Sequence, residues 1–223
     1  MQLLKKSLIL VLVWPAATVL AGPPTGGVTG TIPLPARASG RIAVEKYTGN
    51  ISGKVAAPPR PCAGVWIEGA NVHADASPPD AGLGQQGYQF SSSLLVVQRG
   101  ASVEFPNNDV DYHNIYSSSK PLKFSVGRYK KDEAPIPRFK FDKAGFVRVQ
   151  CEIHDHMKGA VLVVDSPWYT VTDAAGKFTL TGILPGSYTL RAQLDEKTQW
   201  SVPVTITSGK TVAADFSKPA ALP

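Results

Sequence analysis

Two apolar segments joined by a short loop constrain this chain more than any other feature. In Phe146-Val147-Arg148-Val149-Gln150-Cys151, Val147, Val149 and Cys151 fall on one face of a strand, and Arg148 and Gln150 on the other. Gly159-Ala160-Val161-Leu162-Val163-Val164 follows as a strand that is apolar throughout, the pattern of burial on both faces. Between them Cys151, His154 and Met157 stand at i, i+3 and i+6. A thiolate, an imidazole and a thioether are soft and borderline donors of the kind that suits copper. A tetrahedral zinc site would more often show a second Cys nearby or a paired His motif.

A type 1 copper centre has two His and one Cys in a trigonal plane, with a long axial Met. The second imidazole is expected from His113, in Phe105-Pro106-Asn107-Asn108-Asp109-Val110-Asp111-Tyr112-His113-Asn114. The expected metal ligands are therefore His113, Cys151, His154 and Met157, holding one type 1 copper per chain. A strand ending in Phe-Pro-Asn, an acidic turn, His-Asn, and later Cys-x-x-His-x-x-Met resembles the cupredoxins. The short ligand loop is most similar to that of the amicyanins rather than the plastocyanins. The combination also resembles periplasmic proteins named after methylamine utilisation. The resemblance covers Tyr88 to Asp165, about a third of the chain. It implies that Asn114, after the first His, ties the two ligand loops together. It also implies that Asn107 or Asn108 supports the Pro106 turn, and that His154 is the more exposed ligand and the electron exit. His156 departs from the amicyanin pattern, which is more apolar there. It is expected to face solvent, the alternative being competition for the metal or a pH-dependent partner contact. Asp155 and His156 make the expected docking rim polar.

The two cysteines, Cys62 and Cys151, leave a disulfide as the competing role for Cys151. A disulfide does not explain His154 and Met157 at ligand spacing, and Cys62 is assigned no role. The chain has four His, and His73 stands apart from the others. A multicopper oxidase or nitrite reductase needs a further multi-His copper centre, which one such chain cannot build. No Ser-His-Asp order, phosphate loop or paired-carboxylate motif is present, so no enzyme activity is expected.

Residues 1–21 read as a secretory signal peptide. Lys5 and Lys6 start it, Ser7 to Leu20 is apolar, and Val19-Leu20-Ala21 ends it. The apolar run contains Pro15 and is followed by Gly22-Pro23-Pro24, so no membrane span is expected in the mature chain. No Cys follows the cleavage site to take a lipid anchor. Export to the periplasm is expected. Removing Lys5 and Lys6 takes the formal charge from +6 to +4. No nucleic-acid motif accompanies it, and nucleic acid is not expected as a partner.

With 20 Gly, 19 Pro and short alternating apolar runs, the 223 residues point to an all-β fold without long helices. Residues 22–40 read as a linker or loose edge strand. Asn50–Val55 and Gly64–Gly69 read as short strands. Thr172-Asp173-Ala174-Ala175-Gly176-Lys177-Phe178-Thr179-Leu180 followed by Leu184-Pro185-Gly186-Ser187-Tyr188-Thr189-Leu190 is a turn–strand unit met twice. That pattern is similar to carboxypeptidase regulatory-like domains, which are small transthyretin-type sandwiches without catalytic residues. Their opening strands match Ser52-Gly53-Lys54-Val55 and Ala63-Gly64-Val65-Trp66. The expected fold is a cupredoxin-like Greek-key β-sandwich plus a small transthyretin-type β-sandwich. The expected divisions are 22–83 for the linker and opening strands, 84–165 for the copper domain, 166–218 for the second sandwich and 219–223 for a tail. The copper domain is read as an insertion into that sandwich.

A basic stretch lies between the halves of the site: Lys120, Lys123, Arg128, Lys130, Lys131, Arg138, Lys140 and Lys143, against Asp132, Glu133 and Asp142. It reads as a solvated loop with outward strand faces, or as a docking surface for an acidic redox partner. The resemblance implies a periplasmic one-electron carrier working between a cytochrome c or dehydrogenase and another redox protein. The alternative is copper storage, delivery or sensing. In either case the second sandwich is available to a polysaccharide or an envelope protein.

Overall fold

A computed structural model describes residues 24–36, 53–73 and 75–216. The expected signal peptide, the tail and part of the expected strand at Asn50–Val55 lie outside these residues. Fifteen β-strands and no helix make up the described structure. No helix among these residues is long and apolar enough to cross a membrane.

The middle of the chain forms one sandwich. Its larger sheet has the order β4-β10-β9-β6-β7: β4 is Leu94–Gln98, β6 Ile115–Ser118, β7 Lys123–Ser125, β9 Gly145–Cys151 and β10 Lys158–Val164. The smaller sheet joins β3 (Ala81–Gly82), β5 (Ser102–Glu104) and β8 (Arg138–Lys140). β3 begins before the division expected at residue 84, because Ala81 pairs with Val103. Alternation places Val147, Val149 and Cys151 of β9 and Val103 of β5 in one core with Phe105, Phe141 and Ile115.

The remaining strands form the other sandwich. One sheet has the order β12-β1-β15, with β1 at Gly26–Thr31, β12 at Lys177–Ile183 and β15 at Thr211–Asp215. The other has the order β11-β2-β13-β14, with β2 at Gly64–Glu68, β11 at Tyr169–Val171, β13 at Gly186–Gln193 and β14 at Gln199–Ile206. β2 pairs with both β11 and β13, and Ala63, Val65 and Ile67 share a core with Phe178, Leu190 and Trp200. The first sandwich is therefore spliced into the second between β2 and β11. Two expectations fail here. The region read as a linker or loose edge strand holds β1, a strand, but the central one of its sheet, antiparallel to β12 and parallel to β15. Gly53–Val55 joins no strand and instead runs as a strap to the first sandwich, where Val55 packs on the core.

β10 separates the two sandwiches. Val161 and Val163 enter the first core, whereas Ala160, Leu162 and Val164 face a third cluster with Leu94, Val96, Trp66 and Tyr169. Its unbroken apolar run follows from burial on both faces. The faces meet closely at Gly64, where a Cβ would stand 2.6 Å from Leu162 Cδ2 and 2.7 Å from Val96 Cγ2. Gly64→Val is expected to overpack this junction and cost about 1–3 kcal/mol of stability, read from a denaturant titration at unchanged m.

Candidate metal centre

Cys151 ends β9 with its side chain on the core face, and the loop to β10 closes on itself. Met157 donates its N–H to the His154 carbonyl at 2.9 Å, and Cys151 N–H reaches the Met157 carbonyl at 3.3 Å. That closure turns His154 toward Cys151. His113 arrives from the other side, held by a two-way backbone bridge to Tyr129 (N–H to O, 2.9 and 3.0 Å). The three donor atoms form a compact triangle: Cys151 Sγ to His113 Nδ1 is 3.6 Å, Sγ to His154 Nδ1 is 3.7 Å, and the two Nδ1 atoms are 3.1 Å apart. An ion seated among them would lie about 2 Å from each, the range of metal–imidazole and metal–thiolate bonds. Met157 is fully buried in the same core cluster as Cys151. Two imidazoles, one thiolate and a thioether are the donor set of a type 1 copper centre, and the residues fit that ion.

Cys151 is primed for a cation. Burial raises its pKa, but the rings of His113 and His154 and neighbouring backbone N–H groups outweigh burial and bring the thiol down to about 6. Burial opposes the charged form of His113, yet Asp109 and Cys151 hold its pKa above the usual imidazole value.

Asn114 joins the ligand loops. Its Nδ2 donates to Glu152, its Oδ1 accepts from Ser125 Oγ at 3.0 Å, and its carbonyl accepts Glu152 N–H at 2.9 Å. Asn107 braces the 107–113 loop, donating to the carbonyls of Asp111 (3.0 Å) and Tyr129 (3.1 Å) and accepting Asp109 N–H (2.8 Å). Asn108 is exposed and contributes a backbone N–H to the Gln85 carbonyl. His73 is exposed and away from the centre. Cys62 and Cys151 are separate thiols, with Cys62 Sγ 3.3 Å from Ser93 Oγ.

Tyr88, to which no role was assigned, bears on both expectations about exposure. His154, at 3% exposed, is the more exposed of the two imidazoles, His113 being at 0%, but both are buried. Tyr88 covers both, its ring centroid 5.2 Å from that of His154 and 6.0 Å from that of His113, both edge-on. His156 does not face solvent. It is half-buried, with Nε2 3.0 Å from the Tyr88 carbonyl. Gly87 and Tyr88 take φ of 61° and 57°. Gly supplies the first of these without strain, and the second is costly for a tyrosine. Tyr88 is kept there by its hydroxyl bond to Asp111, by its own N–H to Asp109 at 3.0 Å, and by the strap, whose Ala56 N–H meets the Gly87 carbonyl at 2.8 Å. Gly87, standing directly before an aromatic residue in a Gln-Gln-Gly-Tyr run, was the available signal for this turn.

A family model described as the carboxypeptidase regulatory-like domain matches residues 145–218. Parts of the chain align with solved structures of copper proteins. One is the Cu-containing nitrite reductase from Thermus scotoductus SA-01, with 25% identity and TM-score 0.37 over 43% of this chain and 26% of that one. The chain thus spans about a quarter of the length of the nitrite reductase. Another is a mutant amicyanin in its reduced Cu(I) form at pH 4, with 20% identity and TM-score 0.36 over 45% of this chain and 98% of the amicyanin. Amicyanin from Paracoccus versutus aligns at 19% identity and TM-score 0.35, over 45% and 97%. No curated protein sequence matches. The regulatory-like match begins at the first residue of β9, so it takes in β9 and β10 of the first sandwich as well as β11 to β15.

Proposed function

We propose that the chain is a type 1 copper protein that carries single electrons in the periplasm, between partners such as a cytochrome c or a dehydrogenase. The observation that carries this is the buried triangle of His113 Nδ1, Cys151 Sγ and His154 Nδ1, with Met157 buried in the same core as Cys151. Copper held there would alternate between Cu(I) and Cu(II), since both states accept two imidazoles and a thiolate. The chain's part is to fix that donor set. The closed Cys151–Met157 loop, the His113–Tyr129 bridge and Asn114 hold the donors rigidly, so little rearrangement accompanies a change of charge. Tyr88 excludes water and solutes but lies within ring contact of both ligands.

Storage or delivery, the alternative, needs a ligand that an acceptor can reach, and Tyr88 leaves neither imidazole accessible. The same cover argues against a substrate-binding enzyme. The test is to titrate the reduced metal-free protein with Cu(II) and follow the visible spectrum, then cycle it with ascorbate and ferricyanide. An intense thiolate-to-copper band at one equivalent, with reversible cycling and fast self-exchange, supports the carrier. A colourless product, or copper that exchanges with a chelator faster than electrons exchange, would sink it.

A further inference from the structure

The loop before His113 carries a buried carboxylate that coordination alone does not require. Asp109 is 9% exposed. Its Oδ2 stands 3.0 Å from His113 Nε2 and 3.0 Å from Tyr88 N, and its Oδ1 accepts Gly87 N–H at 2.6 Å. Asn107 Oδ1 fixes the Asp109 backbone in turn, at 2.8 Å. Burial disfavours the charged carboxylate, but the His113 ring and the N–H groups of Tyr88 and Gly87 outweigh it and hold its pKa below the usual range.

An imidazole that turns Nδ1 toward a metal must carry its proton on Nε2. A carboxylate accepting that N–H fixes the tautomer, as a carbonyl would, but also pushes electron density onto the donor nitrogen. A more basic donor favours the ion of higher charge. We infer that Asp109 is a positioning residue that locks His113 with Nδ1 toward the metal and biases the centre toward Cu(II), lowering its reduction potential. This rests on the copper assignment above. Because the same carboxylate anchors the Gly87–Tyr88 turn, one group sets both the ligand and its cover.

The test compares wild type, Asp109→Asn and Asp109→Glu, each loaded with one copper. In the Asn variant Cu(II) affinity is expected to fall about 10- to 100-fold. The potential rises by about 60 mV for each tenfold by which Cu(II) loses more than Cu(I). Asp109→Glu, which keeps the charge, restores most of the difference, an outcome that a merely structural role would not require. In Cu(I)-loaded wild type, NMR is expected to show a downfield, slowly exchanging Nε2–H on His113. A blue Asn variant with unchanged potential overturns the inference and leaves the copper assignment standing. The absence of the Nε2–H resonance does the same without depending on any variant folding. A wild type that gives no thiolate–copper band overturns both.

Discussion

Cys151→Ser is expected to abolish the visible band completely while leaving the metal-free fold almost untouched. The thiolate is the one anionic donor in the triangle, and a serine hydroxyl in its place stays protonated at neutral pH. The hydroxyl is smaller than the thiol, whose sulfur stands 3.6 and 3.7 Å from the facing Nδ1 atoms, so it fits the space at a folding cost of about 1 kcal/mol. The measurable contrast lies in linkage. At copper about 1,000-fold above its Kd, wild type gains about 4 kcal/mol of stability from binding. The variant gains far less, and calorimetry with and without copper reads the difference directly. Equal copper stabilisation in the two proteins would show that Cys151 is not a ligand.

Tyr88→Ala is the other large effect. Tyr88 is 2% exposed, and truncating a buried aromatic side chain costs about 3–5 kcal/mol. The loss includes edge-to-face contacts with two imidazoles, worth about 0.5–1.5 kcal/mol per pair. Azide or free imidazole should then perturb the copper spectrum, and a chelator should extract the metal many-fold faster than from wild type. Tyr88→Phe separates cover from anchor, because it keeps the ring and gives up the hydroxyl bond to Asp111. Its expected cost is about 1 kcal/mol with extraction still slow. If Tyr88→Ala retains wild-type resistance to chelators, the strap and His156 seal the site without it.

The legible parts of the site were those encoded locally. Cys151, His154 and Met157 share one short loop, where spacing alone brings them together. His113 could be read only through its Phe-Pro-Asn…His-Asn setting, since it pairs with residues far along the chain. Asp109 and Tyr88 escaped because their roles arise from backbone geometry. One needs an Asx-stabilised turn that aims a carboxylate at Nε2, and the other a pair of positive φ angles. The depth of His154 is illegible for the same reason, its cover coming from Tyr88. In the fold, β9 and β10 announced themselves by period. β1 did not, because Gly26, Gly27 and Gly30 look like loop residues. They sit in a sheet because their neighbours approach closely; a Cβ on Gly26 would run into the Thr207 carbonyl oxygen. The partners that decide this come some 150 residues later, as the Thr29–Thr179 pair shows.

Splicing one sandwich into the other also fixes an order of events at synthesis. β1 and β2 leave the ribosome early, yet β2 finds its sheet neighbours only after Tyr169 has been made, and β1 waits for Lys177 and then Thr211. The strands of the first sandwich have all their partners by Val164. The inserted sandwich can therefore condense first, with the outer sandwich closing around it through contacts of long sequence separation, the slowest kind to form. In the interval β1 and β2 are unpaired edges, and the time spent in that state, more than final stability, sets the chain's exposure to misassembly.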